Sequence, residues 1–119
     1  MTRILRTAIG SIALVGLTTA AAIAHHGWGS YDANNPVTVN GPIESLKFEN
    51  PHATIVIKGS DKAWTATLAP TSRMQSRGAT ADIVAVGKTV SAYGYPSTVE
   101  KDEMRAERIT VDGKTYELR

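Results

Sequence analysis

The 119-residue chain contains no cysteine. Disulfides, thiolate metal sites and cysteine nucleophiles are therefore excluded. It also lacks the G-x-S-x-G, H-E-x-x-H and P-loop patterns, so no hydrolase elbow, zinc-protease helix or phosphate cradle is in view. Histidine is scarce, with three in the chain. No internal repeat or low-complexity tract occurs. An uncharged, largely apolar run is confined to residues 7–24.

That run sits behind Arg3 and Arg6 and ends in Ala22-Ile23-Ala24. A basic start, an apolar middle and an A-x-A end together form the pattern of a cleaved secretory leader. The competing reading is a membrane anchor. However, a span needs about 20 predominantly apolar residues, and this stretch is interrupted by Gly, Ser and Thr. The expectation is a signal peptide over 1–24, an N-terminal loop segment over 25–36, and a domain over 37–119. Export would place the protein in a bacterial periplasm or outside the cell, with no membrane span after cleavage.

Cleavage also changes the charge. Of the 13 Lys and Arg, Arg3 and Arg6 leave with the leader, so 11 basic residues face 11 acidic ones. Nucleic-acid affinity rests on an excess of Lys and Arg, so no nucleic-acid partner is expected. A single domain of this size can bury a modest core without covalent staples. It is expected to be a monomer, and the sequence points to no particular protein partner.

Residues 25–35 have loop chemistry, with Trp28 and Tyr31 as apolar pegs that pin the segment. Pro36 opens a strand in which Val37, Val39 and Ile43 share one parity while Leu46 and Phe48 share the other. The phase slips between Ile43 and Leu46, near Gly41-Pro42, and a bulge with a strong bend explains it. Asn50-Pro51 turns the chain. Residues 53–58 and 63–68 alternate as strands around a Gly59-Ser60-Asp61 turn, with Trp64, Ala66 and Leu68 on one face. Ser72 and Gln75 have capping-box spacing for a short helix over 73–77, and Gly78 is its stop. A further turn begins at 80–82, with Ile83, Val84 and Val86 packing down. Strands follow at 89–95 and 103–111, and Asp112-Gly113 is a strong hairpin signal leading to 114–118. Three strands, a helix and two strands are the order of an OB-type barrel. The fold expected is mainly β: a small OB-type β-barrel with one short helix between the third and fourth strands. A β-sandwich is the competitor.

The chemistry concentrates at the cleavage point. After a cut at Ala24, His25 carries the free amine, whose pKa is about 8 in model peptides. A metal can displace its proton at neutral pH. The amine and the His25 ring can then chelate one ion, and a histidine from elsewhere completes a T-shaped nitrogen set, which suits Cu(II). This arrangement looks like the histidine brace of secreted copper proteins. His52 is the preferred third ligand and His26 the other candidate, because two adjacent residues do not easily both turn inward once His25 is chelated. A cut after Ala22 would instead put His25 third, as in amino-terminal Cu(II)/Ni(II) sites. The plain alternative is three ordinary surface histidines, with His52 bonded to a turn. Asp32 reads as a turn residue, or as an outer partner of a metal-bound imidazole.

Glu100, Asp102 and Glu103 read as solvated charge, and no general acid–base pair can be named, so no enzymatic activity is expected. The alternative to a copper-binding protein is a metal-free ligand-binding or protein-interaction module using a shallow surface around Tyr93, Tyr95 and Arg105.

Several of these residues carry a resemblance: Ala24-His25-His26, Tyr31-Asp32, Pro36-Val37-Thr38-Val39 with Gly41, Asn50-Pro51-His52, Trp64, Gly78 and Gly87. Over residues 22–118 the chain resembles the DUF6152 family of small exported bacterial proteins. The resemblance implies export and a small β-barrel, and no activity. The architecture is also similar to that of periplasmic bacterial OB-fold proteins. Gly27 stands where a Ser is expected, and the loop at 59–61 is shorter than expected. Neither departure touches the histidines.

Overall fold

In the computed structural model, residues 28–119 are described. The chain divides into two units, Met1–Ser30 and Tyr31–Arg119. Of the first, Trp28–Ser30 form a single 3-10 turn. His25, His26 and the expected leader over 1–24 lie outside the described residues. No described helix is long and apolar enough to cross a membrane.

The second unit contains β1 (Val37–Lys47), β2 (Thr54–Lys58), β3 (Ala63–Thr67), α1 (Thr71–Ser76), β4 (Thr89–Pro96), β5 (Glu103–Val111) and β6 (Lys114–Glu117). The strands run in the order β3-β2-β1-β4-β5-β6, and a parallel β3–β5 pairing closes the first five into a barrel. This is the expected OB-type arrangement, with the helix between β3 and β4.

β1 holds the barrel together because it changes partner partway along. Residues 37–42 pair with β4, and residues from Ile43 onward pair with β2. The slip in its hydrophobic phase, expected between Ile43 and Leu46, lies between Ile43 and Ser45, at Glu44, just past Gly41-Pro42. Gly41 has a different job. A Cβ there would lie 2.0 Å from the carbonyl oxygen of Lys58, so only glycine lets the end of β2 come this close.

The inward faces follow the period-2 pattern. Val39, Ile43, Ile55, Ile57, Ala66, Val90, Ala92, Met104, Ile109 and Val111 are buried. Met74 on α1 is fully buried and plugs one end of the barrel alongside Leu68 and Val84. Trp64 packs against this core only in part. Its ring is covered by the Lys62 ammonium, 4.3 Å from the centroid.

Two local expectations are corrected. Ser72 and Gln75 form no capping box, because the helix starts earlier: Pro70 is its N-cap and supplies no side-chain bond. Asn50, from the β1–β2 loop, satisfies the helix start instead. Its Oδ1 accepts from the Thr71 amide at 3.3 Å and from the Thr71 hydroxyl at 3.0 Å. Val86 does not pack down and is 62% exposed, because the chain reverses there to bring the Gly87 amide to the Ile43 carbonyl. Leu46 and Phe48, the latter just beyond β1, both pack partly against the core, as their shared parity after the bulge implies.

The terminal hairpin forms as expected. Asp112 and Gly113 adopt φ values of 52° and 78°, the paired positive values of a type I′ turn.

Candidate functional site

The chemistry-bearing residues of the described chain fall into three groups on the outside of the barrel. The first is the loop carrying His52. Ala53 extends the β2–β3 ladder, donating to the Ala69 carbonyl and accepting from the Leu68 amide. Ala53 is buried, and His52, one residue earlier and of opposite parity, is half-buried. By that alternation it shares the outward side of β2 with Thr54. The same loop holds Asn50, which fastens the β1–β2 loop to the first turn of α1.

The second group anchors the chain that enters the barrel. The Tyr31 hydroxyl donates to Glu103 Oε2 at 2.7 Å, and the Thr67 hydroxyl donates to the same oxygen at 2.5 Å. These short contacts are typical of hydroxyls donating to an ionised carboxylate. The Tyr31 backbone forms a bridge with Ser97, and the Asp32 amide donates to the Pro96 carbonyl. Burial, reinforced by the Glu103 carboxylate, pushes the Tyr31 phenol up to about 12. Tyr31 therefore pins the segment, as its type suggested. Asp32 closes a turn through Asn34 and Asn35. Glu103 was missed. It is not solvated charge but the half-buried acceptor on which two strands and the entering segment meet. Its partner lies 72 positions away in sequence, so no local signal marks it.

The other two acids of that loop behave differently. Asp102 sits at φ 62° and is 2.8 Å from the Lys62 ammonium, which holds its carboxyl below the usual range. Glu100 is exposed.

The third group is the outward face of β4 and β5. Tyr93 and Tyr95 meet edge to face with centroids 6.0 Å apart. The Arg108 guanidinium lies over Tyr93 at 4.9 Å. The Tyr95 hydroxyl donates to Glu107 Oε1 at 3.0 Å. Arg105 was expected to share this surface, yet it is only 6% exposed. Burial, more than any neighbour, lowers its guanidinium from the ordinary value. A register shift in the β4–β5 ladder between Tyr93 and Gly94 sets Tyr93 opposite Arg108, while Tyr95 stays opposite Arg105. Nothing in the local pattern of β5 announces that shift.

Among the described residues, no group of three or more His, Asp or Glu side chains is placed to hold a metal ion. His52 is the one histidine among them, and His25 and His26 lie outside the described residues.

No curated protein matches the chain. The solved structures it is similar to include a complex of TiaS with an isoleucine tRNA and ATP, at 16% identity and a TM-score of 0.51, covering 75% of this chain and 20% of that one. They also include a ZRD-deleted mutant of TiaS in complex with agmatine, at 18% identity and a TM-score of 0.50, covering 71% of this chain and 24% of that one. The chain thus spans about a fifth to a quarter of those proteins, and at such identities the likeness concerns the fold alone. Residues 13–105 match the model of a family of unknown function, and the chain belongs to that family, DUF6152.

Proposed function

We propose that the protein is an exported, periplasmic or secreted, monomeric binding protein. In this reading its processed N-terminus holds Cu(II) through the amine and ring of His25, with the ring of His52 as third nitrogen and His26 as the lesser candidate. It is a binding role with no catalytic step assigned to it.

The observation that carries the reading is the anchor at Tyr31. The Tyr31 hydroxyl and Thr67 share one Glu103 oxygen, and Thr67 faces Thr54 across the β2–β3 ladder. His52 is two residues before Thr54. A strand spacing of about 4.8 Å and a rise of about 3.3 Å per residue put His52 roughly 8 Å from Thr67. His25 is six positions before Tyr31; with Trp28–Ser30 in a 3-10 turn rising about 2 Å per residue and the other steps extended at about 3.3 Å, that stretch reaches roughly 16 Å. The N-terminal histidine therefore has enough chain to meet His52 without the anchor releasing. A first-residue amine and two imidazoles are a donor set suited to Cu(II).

Mass spectrometry of the exported protein fixes its first residue, expected to be His25. Copper titration then compares wild type with His52→Ala. The substitution is expected to weaken binding by at least the ~10–100-fold typical of losing even an outer partner of a metal ligand. Equal affinity would remove His52 from the site, and a different first residue would remove the brace.

A further inference from the structure

A second site is carried by the outer wall of the barrel and needs no histidine. We propose that the outward face of β4 and β5 binds neutral saccharide units. Two rungs cross the sheet here. In one, Thr38, Tyr93, Arg108 and Glu117 are successive cross-strand partners. In the other, Asn40, Ser91, Thr110 and Thr115 are. Four strands at about 4.8 Å, and two rungs about 7 Å apart, make a patch of roughly 14 by 7 Å, enough for two or three sugar rings.

The chemistry of the patch selects the occupant. The second rung offers the Ser91 hydroxyl, the Asn40 amide and the Thr110–Thr115 hydroxyl pair, whose oxygens bond each other at 2.9 Å and keep one donor and further acceptor capacity between them. That suits a ligand dense in hydroxyls. The first rung adds a tyrosine ring, held upright by Tyr95 at its edge and by the Arg108 guanidinium over one of its two faces. Such a ring gives the apolar C–H side of a sugar a surface to lie on while its phenol stays wet. The one strong cation is already neutralised in place. Arg108 Nε lies 3.0 and 3.3 Å from the two oxygens of Glu117, and its Nη2 lies 3.0 Å from Glu107. An anionic polymer therefore meets no excess positive charge, which separates this face from a phosphate-tracking groove.

OB barrels commonly use the face of strands 2 and 3. In this chain Tyr31 is hydrogen-bonded across part of that region through Glu103 and Thr67. The β4–β5 face belongs to a different stretch of the wall.

The test is a titration of ¹⁵N-labelled exported protein with maltotriose, cellotriose and chitotriose, followed by amide shifts. At least one sugar is expected to give saturable shifts centred on Ser91, Tyr93 and Thr110, with a Kd of about 1 mM, as befits a shallow site. Tyr93→Ala is expected to weaken that binding by about tenfold or more, Tyr93→Phe to retain it, and His52→Ala to leave it unchanged. Should Tyr93→Ala fail to fold, the pair Ser91→Ala with Thr110→Val is read in its place, with the same loss expected. No shift on this face with any of the three sugars at about 20 mM, shifts centred elsewhere, unchanged affinity in the variants, or tighter binding of a sulfated oligosaccharide would each overturn the proposal.

Discussion

Glu103 shows how much one side chain contributes at the residue scale. One of its oxygens accepts from Tyr31 and Thr67 and so ties the entering segment to β3 and β5. Hydrogen bonds to a charged acceptor are worth about 1.5–3 kcal/mol when buried. Tyr31 is only half-buried, so solvent screening brings the expected cost of Tyr31→Phe down to about 1 kcal/mol, read as a lower urea midpoint. The phenol also sets a pH dependence. Its pKa is raised to about 12 in the folded protein, first by burial and then by Glu103, against about 10 when unfolded. The folded state thus favours the protonated phenol. That contribution is complete below pH ~10 and is lost as pH rises toward ~12. Tyr95 shifts in the same direction through Glu107, so wild type must be compared with Tyr31→Phe. Wild type is expected to lose more stability than the variant between about pH 10 and 12, and parallel losses would contradict the anchor. Tyr31 and Asp32 were legible because aromatic pegs and Asx turns are local properties. Glu103 was not, because its importance is created by closure of the barrel.

At the scale of elements, α1 is the informative case. Ser72 and Gln75 have the right spacing for a local cap, yet Asn50 binds the first turn from the β1–β2 loop. Local spacing loses because Pro70, at ψ 150°, begins the helix before Ser72 is reached. Asn50→Ala is expected to cost about 1 kcal/mol, the usual worth of an N-cap, while Ser72→Ala is expected to be close to neutral. Chemical denaturation of both variants checks this, and the reverse ranking would restore the local cap. The strands themselves were readable, since period-2 alternation and turn chemistry survive any tertiary context. The bulge was legible from the change of parity between Ile43 and Leu46, and the ladder shifts between Ile43 and Ser45, just past Gly41-Pro42. Gly41 itself answers the close approach of Lys58, which no pattern within β1 reveals.

At the scale of the whole molecule, the order of three strands, helix and two strands pointed to an OB-type barrel, and the β3–β5 pairing closes it. The closing pair joins strands separated by a helix and another strand, so its register could not be read along the chain. The same distance hid the exchange of Arg105 for Arg108 beside Tyr93. In the copper reading proposed above, the barrel of this DUF6152 member is a scaffold and the ion is held by what is attached to it. That attachment is a histidine on a segment pinned six residues downstream.

Pulsed electron paramagnetic resonance of the Cu(II)-loaded, exported protein tests that reading most directly, because it counts the imidazoles on the ion. Two coordinated imidazoles are expected in wild type and one in His52→Ala. A spectrum with a single imidazole in wild type, or one that His52→Ala leaves unchanged, would contradict a site shared between the N-terminus and the barrel.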